Sequence, residues 1–162
     1  MNEIVEDYDK RDLTPRRLTL GKGEKLRHKK LVGNLFAEGK SLYDFPIRMV
    51  WTSLSPEELE GAFRAGVPPL TDPLQMLITI PKKKRRRAVD RVLLRRRIRE
   101  AYRLNRLPLI DVINERVDIA TVSVAFIWLG EENLPFAEIE KKITALISRL
   151  IRKLSLNSSS EI

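Results

Sequence analysis

The sequence predicts an α+β fold, an α-β sandwich in which helices pack on one small central sheet. Few segments are rich in β-formers, and several longer segments have the apolar period of amphipathic helices. The predicted order is helix, strand, short helix, strand, basic helix, strand, helix. With 162 residues and 43% apolar content, the chain can bury the core of one such domain.

The first helix and the first strand follow from apolar spacing. A stripe of leucines predicts a helix over 24–38 that stops at Gly39, after a short extended piece at 17–20. Alternation of apolar and polar residues over 45–52 predicts a strand with one face on the core.

Residues 53–73 are interpreted as an insertion between two strands. Ser55 followed by Pro56 and two glutamates is a helix start, because serine caps the chain and acids favour the positive end of the helix dipole. The sequence therefore predicts a short helix inside the insertion rather than a metal-binding cluster of acids.

The second half of the chain supplies two more strands and a long helix. A β-rich run predicts a strand at 74–80, and 116–129 is a longer strand whose near-continuous apolar character favours a central position. The last helix, at 135–154, has its apolar residues on one face.

Composition places limits on the class of protein. The absence of cysteine excludes disulfides and thiolate metal sites and fits a reducing compartment. The acidic N-terminus lacks the layout of a signal peptide, and the longest apolar stretch, 119–129, is too short to span a bilayer as a helix. We therefore expect a cytoplasmic protein with a flexible leader at 1–16, a single domain at 17–154 and a disordered tail at 155–162.

One basic stretch, 82–106, carries the charge of the whole protein. It has thirteen Lys and Arg and two acids, a net charge of +11, whereas the rest of the chain has 18 basic and 20 acidic residues and sums to −2. A near-neutral body with one dense cationic element predicts a polyanionic partner.

The basic stretch divides into a cationic loop at 82–87 and a basic helix over about 87–107, which Pro108 is expected to end. At about 100° per residue, one face of this helix carries a row of arginines, with Arg96 at its edge: Arg91, Arg95, Arg99, Arg103 and Arg106. The apolar residues are expected to pack on the sheet: Val89, Leu93, Leu94, Ile98, Ala101 and Leu104.

Two other interpretations of the arginine row are weaker. A solvated helix face normally has acid partners one turn away, and here only Asp90 and Glu100 are available. A nuclear-localisation run does not require arginines that stay in register for five turns. Because arginine favours bidentate phosphate contacts and stacking on bases, the helix indicates nucleic-acid binding.

The basic helix also resembles the signature of a known family, the protein component of bacterial ribonuclease P. That family carries the pattern R-N-R-x-[KR]-R-x-x-R-E-x-[FY]-R after a strand and a Lys-Lys pair, and residues 91–103 here read RVLLRRRIREAYR. The first helix, with LRHKKL at 26–31 and LFAEGK at 35–40, is similar to the family's first helix. Val92 and Leu93 stand where the family has Asn and Arg.

The resemblance implies both a fold and a function. It implies a left-handed crossover between two parallel strands, and a protein subunit that binds the catalytic RNA and the 5′ leader of precursor tRNA. The catalytic RNA, with Mg²⁺, cuts the leader away to give the mature tRNA 5′ end. Precursor tRNA and the catalytic RNA are the implied partners, with no membrane and no obligate protein partner.

Candidate site residues follow from the pattern and the resemblance together. Eight cations are expected to bind structured RNA: Lys82, Lys83, Arg87, Arg91, Arg95, Arg96, Arg99 and Arg103. Phe36, Val32 and Trp51 are expected to bind the leader, since single-strand sites combine cations with aromatic platforms; Phe45, Phe126 and Trp128 are further aromatic candidates.

The chain offers no protein active site of its own. It contains one histidine, His28, and has no triad-like set, no Gly-rich phosphate loop and no carboxylate pair with metal-ligand spacing. The expected role is that of a non-catalytic subunit of an RNA-based endoribonuclease. A general structured-RNA-binding or ribosome-associated protein is the alternative, and a self-sufficient nuclease is disfavoured by the residues.

Overall fold

The computed structural model describes residues 18–63, 65–68 and 71–160, with side chains for all of these except 157–160. These residues form one four-stranded sheet with the order β1-β2-β4-β3. The strands are β1 (Lys40–Asp44), β2 (Ile47–Leu54), β3 (Leu74–Thr79) and β4 (Thr121–Trp128). β2 is antiparallel to both of its neighbours, β1 and β4, whereas β3 runs parallel to β4.

Helices cover both faces of the sheet, so the predicted α+β sandwich is confirmed. They are α1 (Lys29–Glu38), α2 (Pro56–Ala62), α3 (Ala88–Asn105), α4 (Leu107–Asn114) and α5 (Phe136–Ser160). A single 3-10 turn, Lys22–Glu24, precedes α1.

The larger core lies between one face of the sheet and α3, α4 and α5. Met49 and Trp51 of β2 point into it beside Val124 and Phe126 of β4, because the register pairs these residues and strand side chains alternate between faces. We call this the α3 side of the sheet.

A smaller cluster covers the opposite face, the α1 side. Val50 of β2 and Ala125 of β4 are paired in register and pack there with Leu31 and Leu35 of α1 and with Leu59 of α2. Because β4 is buried on both faces and lies between β2 and β3, its predicted central position is confirmed.

Two elements were not predicted. β1 is a short strand whose five residues mix polar and apolar types, and it forms by pairing with β2 across the two-residue turn at Phe45 and Pro46. Helix α4 follows α3 directly, because Pro108 lies in the first turn of α4, where its missing N–H costs nothing. The prediction that Pro108 only ends a helix was therefore incomplete.

Several predicted boundaries are wrong. α1 begins at Lys29 rather than at residue 24, because Lys25 and Leu26 are extended beside β3, where the Leu26 N–H donates to the Met76 carbonyl at 2.9 Å. β4 begins at Thr121, five residues after the predicted start. No strand includes Leu18, Thr19 or Leu20, so within the described residues the extended piece is wrong.

The C-terminal helix is longer than expected. α5 continues to Ser160, so six residues of the predicted disordered tail are helical. Residues 161–162 and the predicted leader at 1–16 lie outside the described residues. The parallel pairing of β3 with β4 across α3 and α4 agrees with the expected crossover, whose left hand stays a prediction.

Candidate nucleic-acid interface

The cationic loop is folded into a defined turn by its own arginines. The backbone N–H groups of Lys84 and Arg85 donate to the Pro81 carbonyl at 3.0 and 3.1 Å. Arg91, one turn into α3, donates from Nη1 to the carbonyls of Arg85 and Arg86 at 2.9 and 2.7 Å. Arg91 was expected to bind RNA, and here its guanidinium stabilises the loop that presents the other cations.

Asp90 fastens the same loop to the start of α3. Its carboxylate lies 3.0 Å from the Arg85 guanidinium, and both side chains are largely buried. Asn133, just before α5, donates to the other carboxylate oxygen of Asp90 at 3.0 Å, and Arg85 also donates to the Glu131 carbonyl. One of the two acids in the basic stretch is therefore used to position the loop rather than to neutralise it.

The cations that remain form a continuous exposed surface. Arg96 lies at the centre of the solvent-facing side of α3, opposite the buried Leu94, Ile98, Ala101 and Tyr102. In the part of the chain that the structure describes, no ion pair joins the following exposed cations to another residue: Lys82, Lys83, Lys84, Arg86, Arg96 and Arg99. Arg87 is also exposed and lies 4.0 Å from Asp90, and Arg95 is half-buried on the flank of the helix.

The C-terminal end of the predicted arginine row is engaged in the protein itself. Arg103 donates through Nε and Nη2 to both carboxylate oxygens of Glu100 at 3.0 and 2.6 Å, and this bond holds the pKa of Glu100 below its usual value. Arg103 also donates to the Leu18 carbonyl at 3.3 Å. Its guanidinium is only partly available to a phosphate.

Arg106 corrects the predicted row. Its side chain is 1% exposed, and its Nε and Nη2 donate to the two carboxylate oxygens of Glu24 at 2.6 and 3.2 Å. It also donates to the carbonyls of Leu18, Thr19 and Arg103. Because its partner lies 82 positions away, the helical period alone could not show that this arginine points inward.

The solvent-facing side of α3 also carries apolar side chains. Val89, Val92, Leu93 and Leu104 are exposed by 61, 44, 36 and 40%. The prediction that Val89, Leu93 and Leu104 pack on the sheet is therefore wrong, because the contact with α5 and the sheet covers only a narrow strip of the helix. Val92 lies among the arginines, as the resemblance to the family pattern suggested.

The α1 side of the sheet presents a second set of candidate residues. Phe36 is 49% exposed near the end of α1, and Val32 is half-buried one turn earlier. Tyr43 and Arg48 are register partners on this same side of the sheet, and the Arg48 guanidinium carbon lies 5.8 Å from the centroid of the Tyr43 ring. Arg48 also donates to the Ser41 hydroxyl at 2.9 Å.

The aromatic candidates separate by face. Trp51 is 3% exposed and belongs to the core on the α3 side, so the prediction that it binds the leader beside Phe36 is contradicted. Phe126 and Trp128 are fully buried in the same core. Sequence reasoning missed Tyr43 and Arg48, which lie opposite one another only because β1 pairs with β2. The two-residue spacing of Ser41 and Tyr43 before a turn was the available signal.

Acidic and histidine side chains do not gather into a cation site. Within 18–63, 65–68 and 71–160, no group of three or more His, Cys, Asp or Glu residues is placed to hold a metal ion. His28 packs its ring edge-to-face on Phe63 with the centroids 5.0 Å apart. None of the described helices is long and apolar enough to cross a membrane.

Comparison with known proteins decides the family. The family model described as ribonuclease P matches residues 20–151, which includes every strand and nearly all of the helical residues. The chain belongs to the ribonuclease P protein family.

Relatives within the ribonuclease P protein family cover almost the whole chain. The ribonuclease P protein component of Porphyromonas gingivalis is 33% identical over 137 residues, which make up 85% of this chain and 90% of that protein. A general RNA-binding role outside ribonuclease P is therefore not favoured. As a family member, the chain is a protein subunit of an RNA-processing endonuclease.

Solved ribonuclease P proteins share the fold. The protein from Thermotoga maritima superposes with a TM-score of 0.53 at 22% identity, and the match covers 78% of this chain and 96% of that one. The Staphylococcus aureus protein gives a TM-score of 0.51 at 15% identity, with 80 and 96% covered. At this level of identity the likeness concerns the arrangement of helices and strands.

Proposed function

We propose that this chain binds the catalytic RNA of ribonuclease P through the cationic loop and α3, and binds the 5′ leader of precursor tRNA on the α1 side of the sheet. The catalytic RNA then removes the leader, because the RNA forms the active site and uses Mg²⁺ there. The proposal places the complex in the bacterial cytoplasm, in keeping with a chain that has no cysteine.

The exposed cations of the loop and α3 carry this proposal. A helix whose solvent side holds Arg96 and Arg99 without acid partners repels itself until an anion supplies the missing charge. RNA phosphates are spaced to contact several such guanidiniums at once, and each contact releases counterions. The loop adds three exposed lysines at one end of the same surface.

The α1 side has the features of a single-strand site. Phe36 and Tyr43 are half-exposed aromatic rings on which unpaired bases can stack, and Arg48 supplies a cation beside Tyr43. Stacking is tolerant of base identity, which suits a leader whose sequence varies from one tRNA to another. The cationic surface on α3 lies on the other side of the sheet, so one protein can contact both RNAs at once.

The proposal assigns the protein no catalytic group. The single histidine, His28, is packed against Phe63, and phosphodiester hydrolysis by metal-activated water needs oxygen-rich ligands that the RNA phosphates provide. The protein acts by raising the affinity for precursor tRNA and by neutralising RNA charge where the two RNAs meet.

Reconstitution tests the proposed function. The protein is mixed with a cognate ribonuclease P RNA at limiting Mg²⁺, and cleavage of precursor tRNA at the mature 5′ end is followed over time. We expect the protein to increase cleavage, and the protein alone to cut nothing. Binding of many structured RNAs with equal affinity, without any gain in cleavage, would contradict the proposal.

A further inference from the structure

A second cationic surface lies outside the sites described so far, in the segment that leads into α1. Five of the nine residues from 22 to 30 are Lys or Arg, and all five are exposed: Lys22, Lys25, Arg27, Lys29 and Lys30. The one acid among them, Glu24, is turned inward to Arg106. Within the described part of the chain, no ion pair involves any of the five cations.

Three of these cations, Lys22, Lys25 and Arg27, line a small pocket of about 220 Å³ between the segment, the insertion and β3. Its lining contains no carboxylate, although Asp72 lies close by in the chain. One part of the lining comes from the segment, as Lys22, Lys25, Arg27 and His28, and the other part comes from Pro68, Thr71 and Gln75. Because three cations and no carboxylate line this cavity, it suits a small anion.

Backbone contacts hold the two halves of the pocket together. Lys25 pairs with Met76 at the outer edge of β3, and the Asp72 N–H donates to the Gly23 carbonyl at 3.3 Å. The edge-to-face contact of His28 with Phe63 closes the insertion against the start of α1. The backbone that carries these cations is therefore fixed in place, which lowers the entropy cost of binding an anion.

The start of α1 is a second feature that favours an anion beside this segment. His28 is its N-cap, but the side chain makes no capping hydrogen bond, and no acid lies in the first turn. Helices normally satisfy these N–H groups with Ser, Thr, Asp or Asn and place acids beside them. Here Lys29 and Lys30 occupy the positive end of the helix dipole, an arrangement that an anion at His28 would stabilise.

We propose that this pocket binds a phosphate group of RNA, as a backbone contact separate from the cationic loop and α3. The proposal rests on the proposed function, since it assumes that RNA is the partner. The phosphate belongs either to the catalytic RNA or to precursor tRNA, and the recognition chemistry is the same for both. The insertion contributes Pro68 and Thr71 to the pocket, and this gives residues 53–73 a role in RNA binding.

The test compares two double variants with the same loss of charge. Lys25→Gln with Arg27→Gln removes two pocket cations, and Arg152→Gln with Lys153→Gln removes two exposed cations from α5 as the matched control. All four side chains are exposed, so we expect both variants to fold like the parent, which thermal unfolding checks. Affinity is measured for the catalytic RNA alone, and for precursor and mature tRNA by the reconstituted enzyme, across a salt series.

We expect the pocket variant to lose about tenfold in affinity, the effect of one charge-assisted contact, and the control to lose much less. The slope of log K against log salt should fall by roughly 0.7–0.9 in the pocket variant. A loss with the catalytic RNA alone identifies that RNA as the source of the phosphate. A loss seen only with precursor tRNA identifies the leader.

Equal affinities and equal salt slopes for the two double variants would overturn the pocket while leaving the proposed function intact. Failure of the parent protein to bind or stimulate the RNA would instead overturn the proposed function, and the pocket with it. A third variant, Thr71→Glu, places a carboxylate at the pocket and should weaken the same RNA as the double variant does. An unchanged affinity in Thr71→Glu would also count against the pocket.

Discussion

Arg96 and Arg106 have the same side chain and lie in one basic segment about three helical turns apart, yet they act in opposite ways. Arg96 is exposed and has no acid partner. Arg106 is buried and pairs with Glu24, so it does not contribute to the cationic surface. The same distinction separates Arg91, which binds the loop carbonyls, from Arg99, which faces solvent. Residue type and helical position alone do not tell which arginines face RNA.

The buried ion pair predicts a large loss of stability when one partner is removed. Glu24→Gln removes the carboxylate that pairs with the buried Arg106 guanidinium at 2.6 Å, so the free energy of unfolding should fall by about 3–5 kcal/mol. Urea unfolding measures this free energy. The exposed Glu38→Gln is the control and should change the free energy of unfolding by less than about 0.5 kcal/mol. If both variants unfold alike, the Glu24 carboxylate does not stabilise the fold in solution.

Two apolar residues on the solvent-facing side of α3 predict a gain of function. Val92→Asn with Leu93→Arg restores the family pattern at exposed positions, so RNA affinity should rise while stability changes by less than about 0.5 kcal/mol. Filter binding to the catalytic RNA measures the gain, and cleavage at limiting Mg²⁺ shows whether it extends to processing. Val89→Asn with Leu104→Arg on the same helix is the control. An equal gain in RNA affinity there would mean that the added positive charge, and not its position in the family pattern, causes the gain.

At the scale of elements, the close packing of α1 on the sheet depends on Gly39, the residue that follows the helix. A Cβ at Gly39 would meet the Leu35 carbonyl and would lie 2.6 Å from Val50 Cγ1, so Gly39→Ala should force α1 away from β2. Overpacking of this kind costs about 1–3 kcal/mol. Gly33→Ala, in the same helix with nothing within 4 Å of the added Cβ, should instead stabilise by about 1 kcal/mol.

Thermal unfolding of the two alanine variants provides the measurement. A Gly39→Ala protein as stable as Gly33→Ala would mean that α1 does not sit as closely on Val50 as the structure has it. Since Phe36 lies one turn before Gly39, leader binding by Gly39→Ala should fall together with stability.

Element by element, the sequence was informative where a pattern is long and periodic. The basic helix, the last helix and the three longer strands could be located because many residues repeat the same period. β1 could not, since five mixed residues become a strand only when β2 pairs with them. α4 was missed because Pro108 was interpreted as a stop, although a proline serves equally well in a first turn.

At the scale of the whole molecule, the two sides of the sheet predict two separable activities. Phe36→Ala with Tyr43→Ala should weaken binding of precursor tRNA by the reconstituted enzyme, by about 1–3 kcal/mol per lost stacking contact, and leave mature tRNA unaffected. Arg96→Gln with Arg99→Gln should weaken binding of the catalytic RNA and flatten its salt dependence. Affinity measurements of each double variant for both RNAs test this, and each variant is the control for the other.

An equal effect of both double variants on both RNAs would contradict two separate surfaces.

The sequence predicted the α3 surface because its charge is local, and a charge count along the chain finds it. Tyr43, Arg48 and the pocket on the α1 side escaped prediction because strand pairing and backbone contacts bring their residues together. Tyr43 meets Arg48 through a hairpin, and the pocket at Lys25 meets Thr71 through backbone contacts with β3.

The sheet has two outer strands, and each presents unpaired backbone groups to any other chain that could extend it. On β3, the Lys25 and Leu26 backbone occupies that position through the bond from Leu26 to the Met76 carbonyl. On β1, Arg149 of α5 donates to the Tyr43 carbonyl at 2.7 Å, and Lys142 lies 3.5 Å from the Asp44 carboxylate. Both outer strands therefore have part of their free edge covered, which disfavours edge-to-edge pairing with another chain.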